Sequence, residues 1–400
     1  MIISKRARAI SPSMTLSIDA KAKQMQAEGI DVIGFGAGEP DFDTPGFIKQ
    51  AAIKAINEGF TKYTPVSGII ELRKAVCQKL KTDNDLNYDA SQILISCGAK
   101  HSLFNAIFTL CDDDDEVIIP APYWVSYEEL VKMAGATPVI INDLPEENGF
   151  KLTAQRLKEV ITPKTKMLIL NSPCNPTGAV YEKNELEELA KVIVEHKIFV
   201  ISDEIYEKII YDDKKHYSIA AFNQQIADLT IVINGVSKSY SMTGWRIGYA
   251  AGPKAIITAM SNVQSHATSN PNSIAQKAAL AAIEGTQGGS CITEMVAAFD
   301  RRRKYIVERL NNIEGISCPL PYGAFYVFPN VSKLCGKQFN EKLITDSFAL
   351  TGFLLDDARV AVVPGDAFGA PGYLRLSYAT TDQNIKNGLD RIEEAVAKLR

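Results

Sequence analysis

Seven short apolar runs rich in Ile, Val and Leu alternate with helix-like stretches between residues 93 and 251 of this 400-residue chain. The runs occupy residues 93–96, 117–119, 139–141, 167–170, 199–202, 229–233 and 247–251. Strands that are buried on both faces and joined by helical crossovers form a mostly parallel sheet. The pattern therefore predicts an α/β fold with a seven-stranded sheet between helices. Because such sheets bind ligands beyond the carboxyl ends of their strands, the residues that follow each run are the candidate site.

The most informative strand end leads into residues 235–248, which read GVSKSYSMTGWRIG. Lys238 follows Ser237 at the end of a buried strand, where a positive charge is costly, so its pKa should fall and its amine should become able to form imines. Arg246 stands beyond a glycine and offers a rigid fork of donors suited to a phosphate dianion. An imine-forming lysine beside a phosphate clamp suggests pyridoxal phosphate. An ordinary surface loop is the alternative.

Two more strand ends carry groups that suit the same cofactor. Gly98, Ala99 and Lys100 open a helix after the first run, and the free N–H groups and dipole of a helix N-terminus can hold a phosphate. A plain strand-to-helix turn is the alternative. Trp124 follows the second run and can stack on a flat heteroaromatic ring, unless it is a core tryptophan.

The next two strand ends supply polar groups. Asn175 lies in a double-proline turn, and its amide can donate a hydrogen bond to a phenolate oxygen. Asp203 can keep a pyridine nitrogen protonated, and Tyr206 can bond the ring oxygen. Asp203 could instead cap a following helix. The convergence of these groups on one sheet edge favours the cofactor site over several structural coincidences.

Two further features point to a small anionic ligand. Residues 34–38 contain three glycines, but Glu39 and Pro40 follow where a dinucleotide-binding helix should continue, so the stretch indicates irregular backbone that can approach a ligand closely. A purely structural loop is the alternative. Arg375 lies inside an apolar strand at residues 373–377 and needs an anion, which could be a substrate or the partner in a structural salt bridge.

Composition excludes several classes of protein. A net charge of −4 provides no general field for nucleic acid or anionic lipid, and no run reaches membrane-spanning length. The seven cysteines are scattered, and the four histidines lack metal-helix spacing, so we expect neither disulfides nor a metal site. The N-terminus has no signal-peptide core, which predicts a cytoplasmic protein.

The chain resembles the fold-type I, class I aminotransferases, close to the bacterial aspartate aminotransferase subgroup, over nearly its full length. The matching stretches are GAGEPDF at 36–42, KYT at 62–64, YWVSY at 123–127, NPTG at 175–178, SDEIY at 202–206 and SKSYSMTGWRIG at 237–248. The lysine-to-arginine stretch is the most specific of them.

The resemblance implies a role for each matching residue. It makes Lys238 the imine-forming residue and proton shuttle, Asp203 the partner of the pyridinium, and Tyr206 and Asn175 the partners of the ring oxygen. Arg246 and the Gly98–Ala99–Lys100 turn, with Ser237, bind the phosphate, and Trp124 stacks on the ring. Gly38 and Arg375 bind the substrate α-carboxylate. Tyr63 matches a tyrosine that reaches the partner subunit's phosphate, which implies a homodimer with shared active sites.

The size of the chain predicts two domains. We assign residues 46–285 to a large cofactor-binding domain and residues 1–45 with 286–400 to a smaller α+β domain that closes over substrate. The pattern also predicts a first helix that starts near Ser17 or Asp19 and ends at Gly29. Residues 122–123 should open another helix, and one more should span 339–351, before a strand at 360–363. The basic run at residues 301–304 should be a solvated helix face.

The resemblance implies ping-pong transfer of an amino group from L-aspartate to 2-oxoglutarate. Lys100, with hydroxyls such as Ser13 and Thr15, is expected to bind the side-chain carboxylate. Members that accept prephenate tend to carry a lysine where this chain has Ser11, so prephenate activity is not expected. An aromatic, kynurenine-type or alanine aminotransferase is the nearest alternative. A carbon-sulfur lyase and a cofactor-binding regulatory module are more distant alternatives, and no basic extension typical of the latter is present.

Overall fold

The computed structural model describes residues 3–285 and 288–400. Its helices are α1 (Lys5–Arg8), α2 (Met14–Ala27), α3 (Gly46–Asn57), α4 (Ile70–Asn84), α5 (Ala99–Leu110), α6 (Ser126–Met133), α7 (Ala154–Val160), α8 (Lys183–His196), α9 (Gln224–Ala227), α10 (Lys254–Ala267), α11 (Ser273–Glu284), α12 (Gly288–Asn311), α13 (Ser347–Asp356) and α14 (Asp382–Val396). Its strands are β1 (Ile33–Gly34), β2 (Ile93–Ser96), β3 (Glu116–Pro120), β4 (Thr137–Ile141), β5 (Thr165–Asn171), β6 (Phe199–Asp203), β7 (Thr230–Gly235), β8 (Gly248–Ala251), β9 (Tyr326–Val327), β10 (Gln338–Phe339), β11 (Lys342–Leu343), β12 (Val360–Ala361), β13 (Val363–Pro364) and β14 (Leu374–Ser377).

The central sheet confirms the predicted α/β fold. Seven strands run in the order β2-β8-β7-β6-β5-β3-β4. Strand β8 is antiparallel to both of its neighbours, β2 and β7, and the other adjacent pairs are parallel. Apolar side chains of the strands are buried against helices on both faces, as in other sheets of this class. The apolar runs therefore identified all seven strands.

The register of the sheet brings the predicted strand ends together. Asn171 at the end of β5 pairs with Asp203 at the end of β6, and Asp203 pairs with Ile233 of β7. Helix α5 begins close against β8, since a Cβ atom on Gly248 would lie 2.2 Å from the backbone nitrogen of Ala99. Glycine at 248 thus lets a helix N-terminus reach the same edge of the sheet.

The C-terminal part of the chain forms smaller sheets. Strands β13, β14 and β9 make an antiparallel sheet, and β12 pairs in parallel with β1, which joins the N-terminal segment to residues 360–361. A separate hydrophobic cluster around Phe299, Phe325 and Tyr378 packs here. The division into domains stays a prediction, and its boundary at residue 286 falls on a residue outside the described ranges, as do residues 1 and 2.

Three predicted helix starts are wrong. Helix α2 begins at Met14, about one turn before Ser17, because Met14 and Ile18 pack on a cluster formed with C-terminal residues. Helix α6 begins at Ser126 rather than at residues 122–123. The helix predicted at 339–351 begins only at Ser347, where the Asp346 carboxylate caps it by accepting a hydrogen bond from the backbone of Ala349 at 2.8 Å.

Two features of the C-terminal region also differ from the prediction. Residues 338–343 form the β10–β11 hairpin instead of the start of a helix. The strand predicted at 360–363 is split into β12 and β13, because the two halves pair with different partners, β1 and β14. A run of apolar residues in the sequence does not show that its two halves pair with different strands.

The basic run at residues 301–304 is not a solvated face. Arg303 is fully buried, and its guanidinium donates to Asp212, Asp300 and the carbonyl of Pro321. Arg302 is buried as well, whereas Arg301 and Lys304 are exposed. Successive residues of a helix point about 100° apart, so four in a row cannot share one face.

Within residues 3–285 and 288–400, no helix combines the length and the apolar character needed to cross a lipid bilayer.

Candidate active site

A cavity of about 450 Å³ opens at the carboxyl ends of the central strands. Twelve of the predicted site residues line it. They are Thr15, Gly38, Ala99, Lys100, Trp124, Asn175, Asp203, Tyr206, Ser237, Lys238, Arg246 and Arg375. The structure therefore brings together groups that are separated by up to 360 positions in the sequence (375 − 15 = 360).

Lys238 lies on the turn after β7, and its ammonium group donates a hydrogen bond to the carbonyl oxygen of Gly38 at 2.5 Å. Burial lowers the pKa of Lys238 to about 8, against the opposing influence of the Glu39 carboxylate. A fraction of the amine is therefore in its neutral, nucleophilic form at neutral pH, and this fraction rises to about half near pH 8.

Asp203 is a buried carboxylate whose pKa is raised to about 6, mainly by burial. One oxygen accepts a hydrogen bond from the Tyr127 hydroxyl at 2.6 Å, and the other accepts from the backbone of Ile205 at 3.2 Å. Residues 204–208 form turns rather than a helix, so Asp203 is not a helix cap. In the described part of the chain, no lysine or arginine forms an ion pair with it, which suits a carboxylate awaiting a protonated ring nitrogen.

Arg375 is 2% exposed and donates to the side-chain oxygen of Asn175 at 3.1 Å and to the carbonyl of Gly36 at 2.7 Å. Its guanidinium stacks 4.6 Å from the centre of the Tyr326 ring, and its Nε atom has no hydrogen-bond partner. No carboxylate among the described residues pairs with it, so the structural salt bridge is not observed. A buried arginine with an unused donor fits an incoming carboxylate.

The backbone beside this arginine also leaves room for a small ligand. A Cβ atom on Gly38 would lie 2.8 Å from the Tyr326 hydroxyl. That hydroxyl in turn lies 2.7 Å from the hydroxyl of Tyr206. Any side chain at position 38 would therefore occupy the space between the glycine loop and the two tyrosines.

The predicted phosphate cradle has the geometry of an anion site. Gly98 has φ +86°, and a Cβ atom there would lie 2.4 Å from the guanidinium of Arg246. Only glycine therefore lets this guanidinium lie against the turn that opens α5. Arg246 uses one nitrogen to bond the carbonyl of Thr243 at 2.9 Å. The N-terminus of α5 and a neighbouring guanidinium together suit a phosphate dianion.

Lys100 and Trp124 form a second part of the cavity wall. The ammonium of Lys100 lies 4.7 Å from the centre of the Trp124 ring. Partial burial and the neighbouring charge of Arg246 both lower the pKa of Lys100, so an anion near it would be favourable. Trp124 is only half-buried and lines the cavity, so it is not simply a core tryptophan.

Three predicted residues do not line the cavity. Gly98 lies directly behind Arg246, and the Ser13 hydroxyl lies 3.0 Å from the Thr15 hydroxyl. Tyr63 is 90% exposed and lies away from the cavity in this single chain. Its role at a partner subunit's site stays a prediction.

Sequence reasoning missed two residues that hold the predicted groups in place. Tyr127 bonds Asp203 and packs edge-on against Trp124, with 5.4 Å between the ring centres. Asn171 accepts a hydrogen bond from the backbone of Asn175 at 2.8 Å and donates to the carbonyl of Asp203 at 3.0 Å. The position of Asn171 at a strand end was a usable signal, while the role of Tyr127 depends on how α6 packs.

A separate cluster behind the site places ligand atoms of Glu204, Glu207 and His216 within 4.8 Å of one another. Lys79 forms an ion pair with Glu207 and helps to hold the pKa of that carboxyl at about 2. The Glu204 carboxylate accepts hydrogen bonds from Ser218 and Ser202. The network is thus already compensated by protein groups, and it packs behind the turn that carries Asp203 and Tyr206.

Residues 30–392 match the family described as Aminotransferase class I and II. The chain is 50% identical to an aspartate aminotransferase of Bacillus subtilis over the full length of both proteins. It is 47% identical to a probable aspartate/prephenate aminotransferase of Aquifex aeolicus, with 99% of each chain covered. Among solved structures, the aspartate aminotransferase from Rhizobium meliloti superposes with a TM-score of 0.96 at 44% identity, covering all of both chains. The Thermus thermophilus aspartate aminotransferase with maleate superposes with a TM-score of 0.93 at 41% identity, covering 99% of this chain and 100% of that one.

Proposed function

This chain belongs to the class I and II aminotransferases, which are pyridoxal phosphate-dependent transaminases, and on that premise we propose that it transfers an amino group from L-aspartate to 2-oxoglutarate. One observation carries the proposal. The cavity contains Lys238, Arg246, Arg375 and Lys100, and none of the four forms an ion pair with a carboxylate of the described residues. Besides the reactive amine, three unpaired cations match one phosphate and the two carboxylates of a dicarboxylic substrate.

The cofactor would be held by residues whose geometry suits it. Lys238 would attach it, Arg246 with the Gly98–Ala99–Lys100 turn and Ser237 would bind its phosphate, and Trp124 would lie against its ring. Asp203 would hold a positive charge on the ring nitrogen, with Tyr206 and Asn175 at the ring oxygen. When bound, pyridoxal phosphate supplies an electron-accepting ring that takes up the charge left when the substrate loses its α-proton.

The side chains have separate roles in substrate binding and proton transfer. Arg375 orients the substrate by its α-carboxylate next to Gly38, and Lys100 binds the distal carboxylate together with the Thr15 hydroxyl, which the Ser13 hydroxyl contacts. Once its amine is free, Lys238 would take the proton from the substrate α-carbon and hold it on its Nζ atom, because its lowered pKa leaves about half of the amine neutral near pH 8. Tyr127 keeps Asp203 oriented by its hydrogen bond.

We also propose a homodimer in which Tyr63 of one subunit completes the phosphate site of the other. The strong exposure of Tyr63 supports this assignment, as do the exposed apolar side chains of Ile53, Ile56 and Ile70 on neighbouring elements. An open cavity beside Arg246, lined by residues of the 39–44 segment and by Asn272 and Ala275, leaves space for a partner residue. Closure of a smaller domain over the substrate and a cytoplasmic location remain part of the proposal.

The proposal is tested by absorbance of the purified protein with pyridoxal phosphate. Aspartate should shift the absorption band of the bound cofactor, and 2-oxoglutarate should restore it. If aspartate leaves the band unchanged while phenylalanine or kynurenine shifts it, the protein is a transaminase of another specificity. Loss of the bound-cofactor band in Lys238→Ala is expected, and a normal turnover of that variant would contradict the assignment of Lys238.

Substrate choice is tested at Lys100. Lys100→Ala should lower kcat/KM for aspartate about tenfold or more, because a charge-assisted contact is lost, and should leave phenylalanine turnover nearly unchanged. Lys164→Ala removes an exposed lysine outside the cavity and is the matched control. Ser11 offers a neutral hydroxyl where prephenate-accepting relatives tend to carry a lysine, so we expect little prephenate turnover.

A further inference from the structure

The segment of residues 36–44, here called the rim loop, connects β1 to α3 and passes along the cavity. Its Gly36 carbonyl accepts a hydrogen bond from Arg375, and its Gly38 carbonyl accepts one from Lys238. The loop therefore touches the two side chains to which the proposed function gives the α-carboxylate and the cofactor. The next residue, Glu39, is exposed and also lines the cavity.

Side-chain hydrogen bonds fasten the rim loop to the turn that carries Lys238. The Thr243 hydroxyl donates to a Glu39 carboxylate oxygen at 2.8 Å. The Thr44 hydroxyl donates to the carbonyl of Ser241 at 2.6 Å and accepts from the indole nitrogen of Trp245 at 2.9 Å. Glu39 is thus a carboxylate held in a defined position beside the turn of Lys238, rather than a freely rotating surface side chain.

Without Glu39, the positive charges that face Lys238 outnumber the negative ones. Arg246 and Arg375 lower the pKa of the amine, as burial does, while Glu39 and Asp203 raise it. Glu39 has the larger opposing effect of the two carboxylates. The other neighbours of the ammonium are the rings of Tyr206 and Phe325, each 5.9 Å away. Since Asp203 is assigned to the ring nitrogen, Glu39 is the carboxylate left to balance the lysine.

We propose that Glu39, held by Thr243, is a positioning residue whose negative charge keeps the proton on the Lys238 nitrogen in the cofactor-loaded enzyme. The proposal rests on the proposed attachment of the cofactor to Lys238. A substrate amine attacks most readily when the nitrogen it displaces carries a proton, so Glu39 sets the pH range in which the resting enzyme is ready for substrate. Loss of the charge, rather than loss of a contact, should move this range.

The test follows the absorbance of the bound cofactor as a function of pH in the cofactor-loaded enzyme. Glu39→Gln keeps the shape and hydrogen-bonding capacity of the side chain but removes its charge. The protonated nitrogen is then less stable, so the pH midpoint of the absorbance change should fall. Even in a medium as polar as water, a unit charge lining the same cavity should move the midpoint by on the order of a few tenths of a pH unit, which is the shift we expect. The pH at which kcat/KM for aspartate is half-maximal on the acid side should fall in parallel.

Two further variants separate charge from structure. Asp43→Asn removes a carboxylate from the same rim loop, but Asp43 is exposed and does not line the Lys238 cavity, so its midpoint should equal that of the unmodified enzyme. Thr243→Val leaves the Glu39 charge but releases it, and should give a smaller downward shift. An unchanged midpoint in Glu39→Gln, or an equal fall in Asp43→Asn, would overturn the proposal. No shift in Thr243→Val would overturn the part that assigns the fixing of Glu39 to Thr243.

These outcomes are distinct from failure of the proposed function. If Lys238→Ala still shows the same pH-dependent band, the cofactor is not attached to Lys238, and the function proposed above fails first. If the band depends on Lys238 and responds to aspartate but not to the charge of Glu39, only the inference about Glu39 fails.

Discussion

Asp203 and Arg375 are buried charged side chains whose counter-charges do not come from the described part of the protein. Each is oriented by neutral partners instead, Asp203 by Tyr127 and Arg375 by Asn175 and Gly36. Holding such groups in the folded state costs free energy, because burial removes water without supplying an opposite charge. In the proposed function the cofactor and the substrate supply these counter-charges, so the site lowers stability in favour of activity.

Asp203→Asn should therefore stabilise the cofactor-free protein at pH 7. The pKa of Asp203 is raised to about 6 from 3.8, so the unfolded chain loses this proton at lower pH than the folded protein does. The free energy of unfolding then falls as pH rises from about 4 to about 6 and stays reduced above that range. The gain at pH 7 should be about 1–3 kcal/mol.

Urea unfolding of the cofactor-free variant and of the unmodified protein at pH 7 and near pH 4 checks this prediction. The difference between the two should shrink near pH 4, because the folded carboxyl group is protonated there and the unfolded one, with a pKa of 3.8, is only about half ionised. Equal stability at pH 7 would show that the fold already compensates the charge of Asp203. Transaminase activity should fall in either case, since the partner of the ring nitrogen is lost.

Arg375→Lys should lower kcat/KM for every amino acid substrate by about 10- to 100-fold. Lysine keeps the positive charge but cannot make two parallel hydrogen bonds to a carboxylate, and charge-assisted bonds contribute about 1.5–3 kcal/mol. Steady-state kinetics with aspartate and phenylalanine should show similar losses, because both carry the same α-carboxylate. Arg391→Lys, at a partly exposed arginine outside the cavity that pairs with Asp31, serves as the control. A loss restricted to aspartate would place Arg375 at the distal carboxylate instead.

At the scale of elements, α12 shows how one helix uses a run of four basic residues in different ways. Arg303 points inward, stacks 4.4 Å from the centre of the Tyr211 ring and bonds two carboxylates. Arg302 bonds Asp41 of the rim loop and also Asp382 at the start of α14. The helix therefore ties together three segments that are remote in the sequence, and its buried arginines are part of the structural core.

Arg303→Met should destabilise the protein by about 1.5–3 kcal/mol. The substitution keeps much of the side-chain volume but removes the buried charge that bonds the partly exposed carboxylates of Asp212 and Asp300. Arg301→Met, two positions away on the exposed side, should change stability by less than about 1 kcal/mol. Urea unfolding of both variants provides the comparison, provided that the free energy of unfolding depends equally steeply on urea concentration in both. Equal losses of stability would mean that the position of the arginine on the helix is irrelevant.

At the scale of the whole molecule, the cavity depends on segments from both ends of the chain. Strand β1 pairs with β12, and the rim loop then crosses from that pair to α3 beside the central sheet. Contacts of the loop with Arg375, Lys238 and Arg302 connect the C-terminal part of the chain to the sheet. In the proposed dimer, a further contribution comes from the partner subunit.

Tyr63→Phe should weaken binding of pyridoxal phosphate about 10- to 100-fold, because one hydrogen bond to a charged phosphate contributes about 1.5–3 kcal/mol. The side chain lies far out in solvent in the single chain, so its loss should not alter the folding of the subunit. Equilibrium dialysis of the cofactor at protein concentrations above and below the dimer dissociation constant gives the measurement. Affinity that is independent both of Tyr63 and of protein concentration would contradict a shared site.

Local patterns in the sequence were enough to predict the central sheet and most of the cavity. Runs of apolar residues identify strands because both faces of a parallel strand are buried, and the topology of such sheets brings the strand ends to one edge. Lys238, Asp203 and Asn175 could therefore be placed from sequence alone, since each lies at the carboxyl end of a strand or in the turn that follows it. Short elements were predicted less well. The strand predicted at 360–363 was wrong because its pairing partners are remote, and the helix predicted at 339–351 was wrong because its first residues form a local hairpin.

The sequence by itself determined which residues are available at the sheet edge, because strand periodicity is a local property. Only the tertiary structure decided how each charge is partnered. Arg303 bonds two carboxylates, Arg375 pairs with none among the described residues, and Glu39 accepts a hydrogen bond from a hydroxyl 204 positions away in the chain. The reason is physical: the energy of a charge depends on its burial and on neighbours within a few ångströms, and these are set by the packing of distant segments.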